Sequence, residues 1–542
     1  MEPKYLFTLI LLATIVIITF ATKKYSTSTV DFYVGGRSFG WLMNGSAIAG
    51  DYLSAATFLG LAGLTFSLGY DGIFYTFCFS VGLTVLALFV AGPLRKFGKF
   101  TVPDFLAERF HSPQARLIAV IVVLSISGFY AAPQVLGGAQ ILQLFFGTSY
   151  TFGVLLIVSV MIFYVGVGGM KGTTINQALE IWIRFGAFLV LLGGAIYMGL
   201  NYGKVLDVVQ NWSGAIPGTA AYAKDGKDLV ANGAKWSFIG GGFFKSPLEC
   251  LSMVIGLSFG TIGLPHILLR FYTNPSAKEA RYSALFAIVI ASVFFAVALY
   301  LGVVGRYLFI EGAKAGSLSP ENMKAFVVGG TNMVVPTVSN IIGGKWLLGF
   351  VVAGAFAAVF SNLSGLFVAC SGALGHDLYT HFINKTATEK QKVVAGKISV
   401  VIIGVLYGIL GLMVEKASIG HLVGLAFNVA ASTFAPIFLL GVWWRGMTEK
   451  GAIWGMVVGL ASSCYMIFFV KSLPVWMQWR IPGLITVPLA FLTVYVVSRI
   501  DGKVPADVNA FMKQIHSSDV KGLEAAPVNT PVPEPAAAAA EA

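Results

Sequence analysis

The chain has 542 residues, of which 57% are apolar and only 11% charged, under half the roughly 25% charge of soluble domains. So little polar surface cannot cover a water-soluble globule of this length. The 36 Lys and Arg against 24 Asp and Glu give a net charge of +12, but the basic residues are scattered between apolar blocks, which excludes a nucleic-acid-binding footprint.

A bilayer core about 30 Å thick takes roughly 20 apolar residues per helix, and the sequence supplies about thirteen such segments. In chain order they lie near 5–22, 41–66, 71–92, 117–146, 151–169, 177–200, 246–268, 281–306, 346–379, 395–414, 419–442, 451–470 and 480–499. The first is followed by Lys23 and Lys24 without a small-residue cleavage site, so it reads as a retained helix and not a signal peptide. Cys78, Cys250, Cys370 and Cys464 fall in separate apolar surroundings and read as small core residues, with neither metal nor disulfide spacing.

Basic residues set the expected orientation. With the N-terminus outside, the short cytoplasmic loops collect Lys23, Lys24, Arg37, Arg95, Lys96, Lys99, Arg109, Arg116, Lys171, Arg270, Lys278 and Arg281, then Lys385, Lys390, Lys392, Arg445 and Lys450. The opposite loops near 67–70 and 147–150 carry none, which is the positive-inside pattern. The long connections at about 201–245 and 307–344 then lie outside. The polar, Pro- and Ala-rich tail over 501–542 reads as a disordered cytoplasmic extension.

Three segments carry polar residues at membrane depth. The second, WLMNGSAIAGDYLSAATFLGLAG, places Gly45, Gly50, Asp51, Ser54 and Thr57 in its middle. An intramembrane carboxylate is costly and marks a functional site unless it merely ties helices together. Five segments later, LSMVIGLSFGTIGLPHILLRF brings Gly260, Gly263 and Pro265 within six residues, enough to interrupt a helix. Interrupted segments in matching places of two five-helix halves point to a transporter binding site, and an odd number of helices per half inverts one half relative to the other. The ninth segment holds Ala358, Ser361, Asn362, Ser364 and Gly365. Small residues there would let helices approach closely, but the Asn362 amide needs a partner, and oxygen ligands suit a hard cation.

Other groups read as structural. Glu180 and Arg184 are one turn apart, as in a local ion pair. Ser246-Pro247-Leu248-Glu249 has the form of a capping box with Pro at the first helical position. His266 reads as a hydrogen-bonded structural histidine, and His111, His381 and His516 lie in loops or the tail without metal spacing. No dinucleotide fingerprint or Walker motif occurs, and no nucleophile elbow is read on these apolar spans, so neither enzymatic chemistry nor ATP-driven pumping is expected.

The stretches DFYVGGRSFGW (31–41), TVPDFLAERF (101–110), GGMKGTTINQALE (168–180) and SGALGHDLY (371–379) resemble the sodium:solute symporter family. AIAGDYLSAATFLGLAG (47–63), GYDG (69–72), GTIGLPHILLRFYTNPSAKEAR (260–281) and LVGLAFNVAAS (422–432) look most like its cation/acetate branch. The resemblance implies an all-α, leucine-transporter-like core of two inverted five-helix repeats, with one helix before and two after. The expected division is a first helix and loop over 1–40, repeats over 41–200 and 246–442 separated by the 201–245 loop, and two peripheral helices over 443–500 ahead of the tail. It also implies sodium-coupled symport, with sodium held by the carbonyls of Gly50, Leu53 and Ala358 and the side chains of Ser361 and Asn362, and with Asp51 matching an aspartate that supports sodium dependence in relatives. Two positions depart from the family pattern. Asn362 stands where relatives carry a second hydroxyl, and Gln177 where many carry Asp, which leaves proton coupling open.

Helix breaks around Gly50–Asp51 and Gly260–Pro265 would present half-helix N-termini, which suit a carboxylate without a buried Arg or Lys. The expected solute is therefore acetate-sized, held by Gly260, Thr261 and Gly263 with Ser54 and Thr57 close by. The remaining alternatives are a sugar, amino acid or urea as solute, and a transporter-like sensor acting through a separate partner. Expected partners are thus a small carboxylate, sodium and the lipid bilayer of the plasma (inner) membrane, with no nucleic acid; the sequence specifies no protein partner.

Overall fold

The computed structural model describes residues 2–223, 225–232, 244, 246–328, 330–415, 417 and 419–517. Among these, ten helices are long and apolar enough to cross a membrane, and twelve spans result when each of two bent pairs is one span. The 48-residue helix Tyr150–Tyr197 breaks at Gly169, whose φ of 55° and ψ of −159° leave the helical region. At 1.5 Å per residue its length is about twice what a bilayer needs, so it supplies spans five and six, which makes thirteen spans among the described residues. Gly344 (φ 62°) divides Val334–Ser371 in the same way. The short piece before it belongs to the connection, and span nine starts after it. That connection is more helical than expected: span eight runs Ala277–Lys314, and Pro320–Val328 is also helical. Between spans six and seven, Ser213–Ala215 pairs antiparallel with Val230–Asn232. The rest of the expected 201–245 loop lies partly outside the described residues.

Span two consists of Trp41–Tyr52 and Ala56–Leu68, bent by 63°. No proline causes this break, and it lies at Leu53–Ala55, not at Gly50–Asp51. Gly50 instead permits close approach: a methyl group there would come 2.7 Å from Ser361 Oγ and 2.9 Å from the Gln177 carbonyl oxygen. Span seven, Pro247–Ile262 and Pro265–Phe271, breaks at Gly263 and Leu264 (ψ 113°), a milder interruption that leaves one continuous span. Ser246 caps its start by accepting from Glu249 N at 3.2 Å. The Glu249 carboxylate does not complete a capping box; it accepts from the Arg480 backbone N–H at 3.3 Å.

The second half of span two is held by stacked rings, with Phe58 and Phe188 centroids 4.7 Å apart and Phe188 and Phe294 4.3 Å apart. Span nine is the innermost, its most apolar stretch fully buried.

The tail departs from its expected disorder. Val508–His516 is a helix that buries Val508, Met512 and Ile515, a four-then-three spacing that makes one apolar face. Phe511 packs on Phe97 and Phe105 at 6.1 and 5.9 Å, and the Arg109 guanidinium lies over its ring at 5.3 Å. Residues 518–542 lie outside the described residues. Met512→Asp should undock this helix, so tryptic cleavage after Lys513 should become at least about tenfold faster, an opening favoured by the ~2 kcal/mol lost with one buried apolar side chain.

Candidate functional site

Breaking a helix strands the last carbonyls of its first half. In span two the Ala49 and Tyr52 carbonyls are met by the backbone N–H groups of Leu53 and Ser54. The other three are met by side chains from elsewhere. Arg184 donates to the Gly50 oxygen at 3.1 Å and to the Leu53 oxygen, and the Asn362 amide donates to the Asp51 carbonyl. On the far side of the break, the Ala55 N–H donates to Gln134 Oε1 at 3.2 Å.

The Asp51 side chain is fully buried. Arg270, expected in a cytoplasmic loop, is instead buried in the last turn of span seven and approaches its Oδ2 at 2.6 Å, and Gln177 of span six donates to its Oδ1 at 2.5 Å. The same Gln177 amide reaches the Ser361 carbonyl at 2.7 Å and Ser364 Oγ at 2.9 Å, while its oxygen accepts from Arg270. Thr174 Oγ1 accepts from Arg270 at 2.7 Å. Gln177 therefore stands where a carboxylate would face Asp51 across a hydrogen-bond distance, and its amide bridges spans two, six, seven and nine.

Beside this network, Ser361 Oγ and Asn362 Oδ1 are buried without a hydrogen-bond partner. Ala358 is buried one turn earlier on the same helix. The six residues expected to hold sodium thus lie on the first half of span two, its break, and the facing stretch of span nine. Carbonyl, hydroxyl and amide oxygens with spare acceptor capacity are a donor set that fits a hard cation.

Arg184 and Glu180 do not form the expected local ion pair. Both are fully buried; Arg184 Nε donates to the Glu180 backbone oxygen at 3.2 Å, and the Glu180 carboxylate has no hydrogen-bond partner. Tertiary contacts with the freed span-two carbonyls outweigh the i,i+4 spacing. His266 is also buried with neither ring nitrogen hydrogen-bonded; its ring lies 5.4 Å from that of Tyr130.

The residues expected to bind solute are divided by the structure. A small cavity of about 20 Å³ beside the break is lined by Tyr52, Thr57, Tyr75, Phe79, Tyr130 and Phe427, among others. Thr57 and Ala56, which open the second half of span two, form part of its wall. Ser54 is buried in the break next to the Tyr130 hydroxyl. Thr261 bonds the Tyr52 hydroxyl at 2.8 Å. Gly260 and Gly263 do not reach the cavity wall. They let span seven pack on span eleven, where added methyl groups would come 2.7 Å from Phe427 Cβ and 2.8 Å from the Ala430 carbonyl carbon. The Gly263 N–H is used locally, donating to the Gly260 oxygen at 3.0 Å. Sequence reasoning missed the aromatic lining, because rings on apolar helices look like any core. Gln134, an amide in the middle of span four, gave a visible signal.

A second polar cluster joins Val102–Phe110 to the end of span nine. Asp104 and Asp377 bracket Arg116 Nη1 at 2.6 and 2.7 Å, and His376 Nε2 lies 3.3 Å from Asp104. Burial alone would raise the Asp104 carboxyl, but His376 and Arg116 outweigh it and hold the group well below the usual carboxylate range. His381 completes the cluster, its Nδ1 3.2 Å from the His376 carbonyl. The i,i+5 spacing matches the wider helical turn over Gly372–Ile383. Asp104, His376 and His381 bring ligand atoms within 4.8 Å of one another, contrary to the expected lack of metal spacing. Arg116 stands among them, 3.3 Å from His381 Nδ1, which makes the cluster an ion-pair network.

The pattern of the sodium:solute symporter family matches residues 32–459. Among solved structures, a sodium-coupled sialic acid symporter in a substrate-bound, outward-open state is similar over 92% of this chain and 98% of that one, with TM-score 0.74 and 16% identity. A nucleobase-cation-symport-1 family transporter, closed with bromovinylhydantoin bound, matches over 90% of this chain and 99% of that one, with TM-score 0.48 and 13% identity. The first likeness shows the fold, a leucine-transporter-like bundle.

Proposed function

Because the chain belongs to the sodium:solute symporter family and is thereby a multi-pass, sodium-coupled membrane symporter, we propose that its solute is a small monocarboxylate such as acetate. The observation carrying this reading is the cavity at the break. Its wall is aromatic and aliphatic, with hydroxyls from Thr57, Tyr52, Tyr75 and Tyr130 and no carboxylate or amide side chain. A sugar needs several such groups to satisfy its hydroxyls. A short carboxylate needs one positive locus, and the half-helix that starts at Ala56 turns the positive end of its dipole toward the break, although the Ala55, Thr57 and Phe58 N–H groups already donate to Gln134 Oε1 and the Ser54 carbonyl.

Sodium is taken by the carbonyls of Gly50, Leu53 and Ala358, Ser361 Oγ and Asn362 Oδ1, with Asp51 holding span seven to the site through Arg270. Cation and anion thus sit on the two facing half-helix ends at one break. Orientation follows the basic residues: the end that carries Arg95, Arg109 and Arg116 faces the cytoplasm, and the N-terminus lies outside. The deciding experiment is uptake of labelled acetate, pyruvate, propionate, proline and glucose into proteoliposomes, with and without an inward sodium gradient. Sodium-dependent uptake of the carboxylates is expected. Uptake of glucose or proline that excess acetate, pyruvate and propionate leave unchanged would overturn the solute assignment.

Ser361→Ala removes one neutral ligand. It should raise the sodium concentration for half-maximal uptake about tenfold, the cost of one lost ion–dipole contact of about 1.5 kcal/mol. Solute affinity at saturating sodium should change less than threefold. Equal losses in both would assign Ser361 to solute binding instead.

A further inference from the structure

The freed carbonyls of span two are not all met alike. Backbone or amide N–H groups satisfy those of Ala49, Asp51 and Tyr52, whereas Gly50 and Leu53 receive a full positive charge from the two terminal nitrogens of Arg184. These two oxygens, three residues apart, are the pair assigned above to sodium. The planar fork of a guanidinium suits two such acceptors at once.

Two neighbours make this a half-used arrangement. Ser361 Oγ, 2.7 Å from where a Gly50 side chain would begin, has no hydrogen-bond partner. The Glu180 carboxylate, one helical turn before Arg184, is fully buried with both oxygens lacking one. A buried arginine with a purely structural task would be expected to close on a carboxylate one turn away, because an unsatisfied buried carboxylate is costly. Asp51 offers Arg184 no alternative, being bonded to Arg270 and Gln177. The side chain therefore has two seats within reach on one helix face: the carbonyls, which it occupies, and Glu180, which it does not.

We propose that Arg184 is a tethered cation competing with sodium for the Gly50 and Leu53 carbonyls, and that Glu180 is the seat it moves to when sodium binds. This rests on the assignment of those carbonyls to sodium, and is independent of which solute is carried. Sodium then binds only the fraction of molecules whose arginine has left, so its apparent affinity is the intrinsic affinity reduced by that fraction. The exchange keeps one cation on the broken end of span two throughout the cycle and lets its first half hold its geometry between turnovers. Arg184 is a specificity-determining residue on this view, since a competing cation must bind well enough to displace a guanidinium.

The test is a solute-free titration of the full-length protein in detergent, reading the sodium-induced rise in melting temperature against choline chloride. Glu180→Gln removes the second seat and should raise the half-saturating sodium concentration about tenfold. The pair Arg184→Met with Glu180→Gln removes competitor and seat together and leaves no unpaired charge. It should lower that concentration about tenfold below wild type, and Glu180→Asp should restore wild-type behaviour. These opposite signs are what a merely structural role would not produce. Weaker sodium binding in the pair than in wild type, an unchanged midpoint in the pair, or no sodium response in any of the proteins would overturn the proposal. If Glu180→Gln fails to fold, the charge-balanced pair decides alone. Because no solute is present, failure here is distinct from failure of the monocarboxylate assignment, which the uptake panel reads.

Discussion

Asp51→Asn is expected to abolish sodium-driven uptake, to below about one hundredth of wild type, and to destabilise the folded protein by about 3–5 kcal/mol, the usual cost of removing one partner from a buried ion pair. The carboxylate is fully buried and faces Arg270 at 2.6 Å, so the substitution strands a guanidinium far from water. It also disturbs Gln177, whose amide is shared between Asp51 and the Ser361 carbonyl. The neighbouring residue Ser361, proposed to ligate sodium, then loses its fixed position. Combining Asp51→Asn with Arg270→Gln separates the two effects. Melting temperature should recover, because no charge remains unpaired, whereas uptake should stay lost, because span seven is no longer tied to the proposed ion site. Uptake with wild-type sodium dependence in Asp51→Asn would remove this carboxylate from the coupling machinery.

The structure also explains which parts of this site a sequence can display. Asp51, Ser361 and Asn362 were visible because polar groups at membrane depth are conspicuous against apolar runs. Sequence alone puts the break three residues early, at Gly50, because glycine signals flexibility and close approach equally. Here it serves close approach to Ser361 and Gln177, and the helix opens at Leu53 where those helices take its carbonyls. Spacing misled for Glu180 and Arg184: four residues apart on a helix predicts a pair, but local propensity yields to stronger tertiary acceptors. The His376–His381 contact was hidden because a five-residue spacing joins side chains only in a widened turn, which no composition reveals. The tail helix was lost within a polar, Pro-rich stretch, since three apolar residues make a face only once a surface exists to receive them.

Gly365→Ala is expected to be nearly as damaging as the loss of Asp51, although helix propensity predicts the opposite sign. In an exposed helix the change would gain about 1 kcal/mol. Gly365 lies inside span nine, and a methyl group there would fall within the van der Waals surface of Asp51 Oδ1 and 2.8 Å from Asp51 Cγ. The carboxylate cannot retreat. Arg270 and Gln177 hold its two oxygens, and Asn362 holds its backbone carbonyl. Span nine cannot shift either, because it packs on all sides. The strain must therefore break a charge-assisted hydrogen bond, at a cost of about 3 kcal/mol or more once overpacking is included. Gly193→Ala is the control: it is also helical, with nothing within 4 Å of the added methyl, and its melting temperature should stay at or slightly above wild type. Measured side by side, Gly365→Ala should melt lower by several degrees and lose sodium-driven uptake. A wild-type melting temperature and uptake in Gly365→Ala would mean that the Asp51 carboxylate does not rest against span nine, and the ion site built on that contact would have to be redrawn.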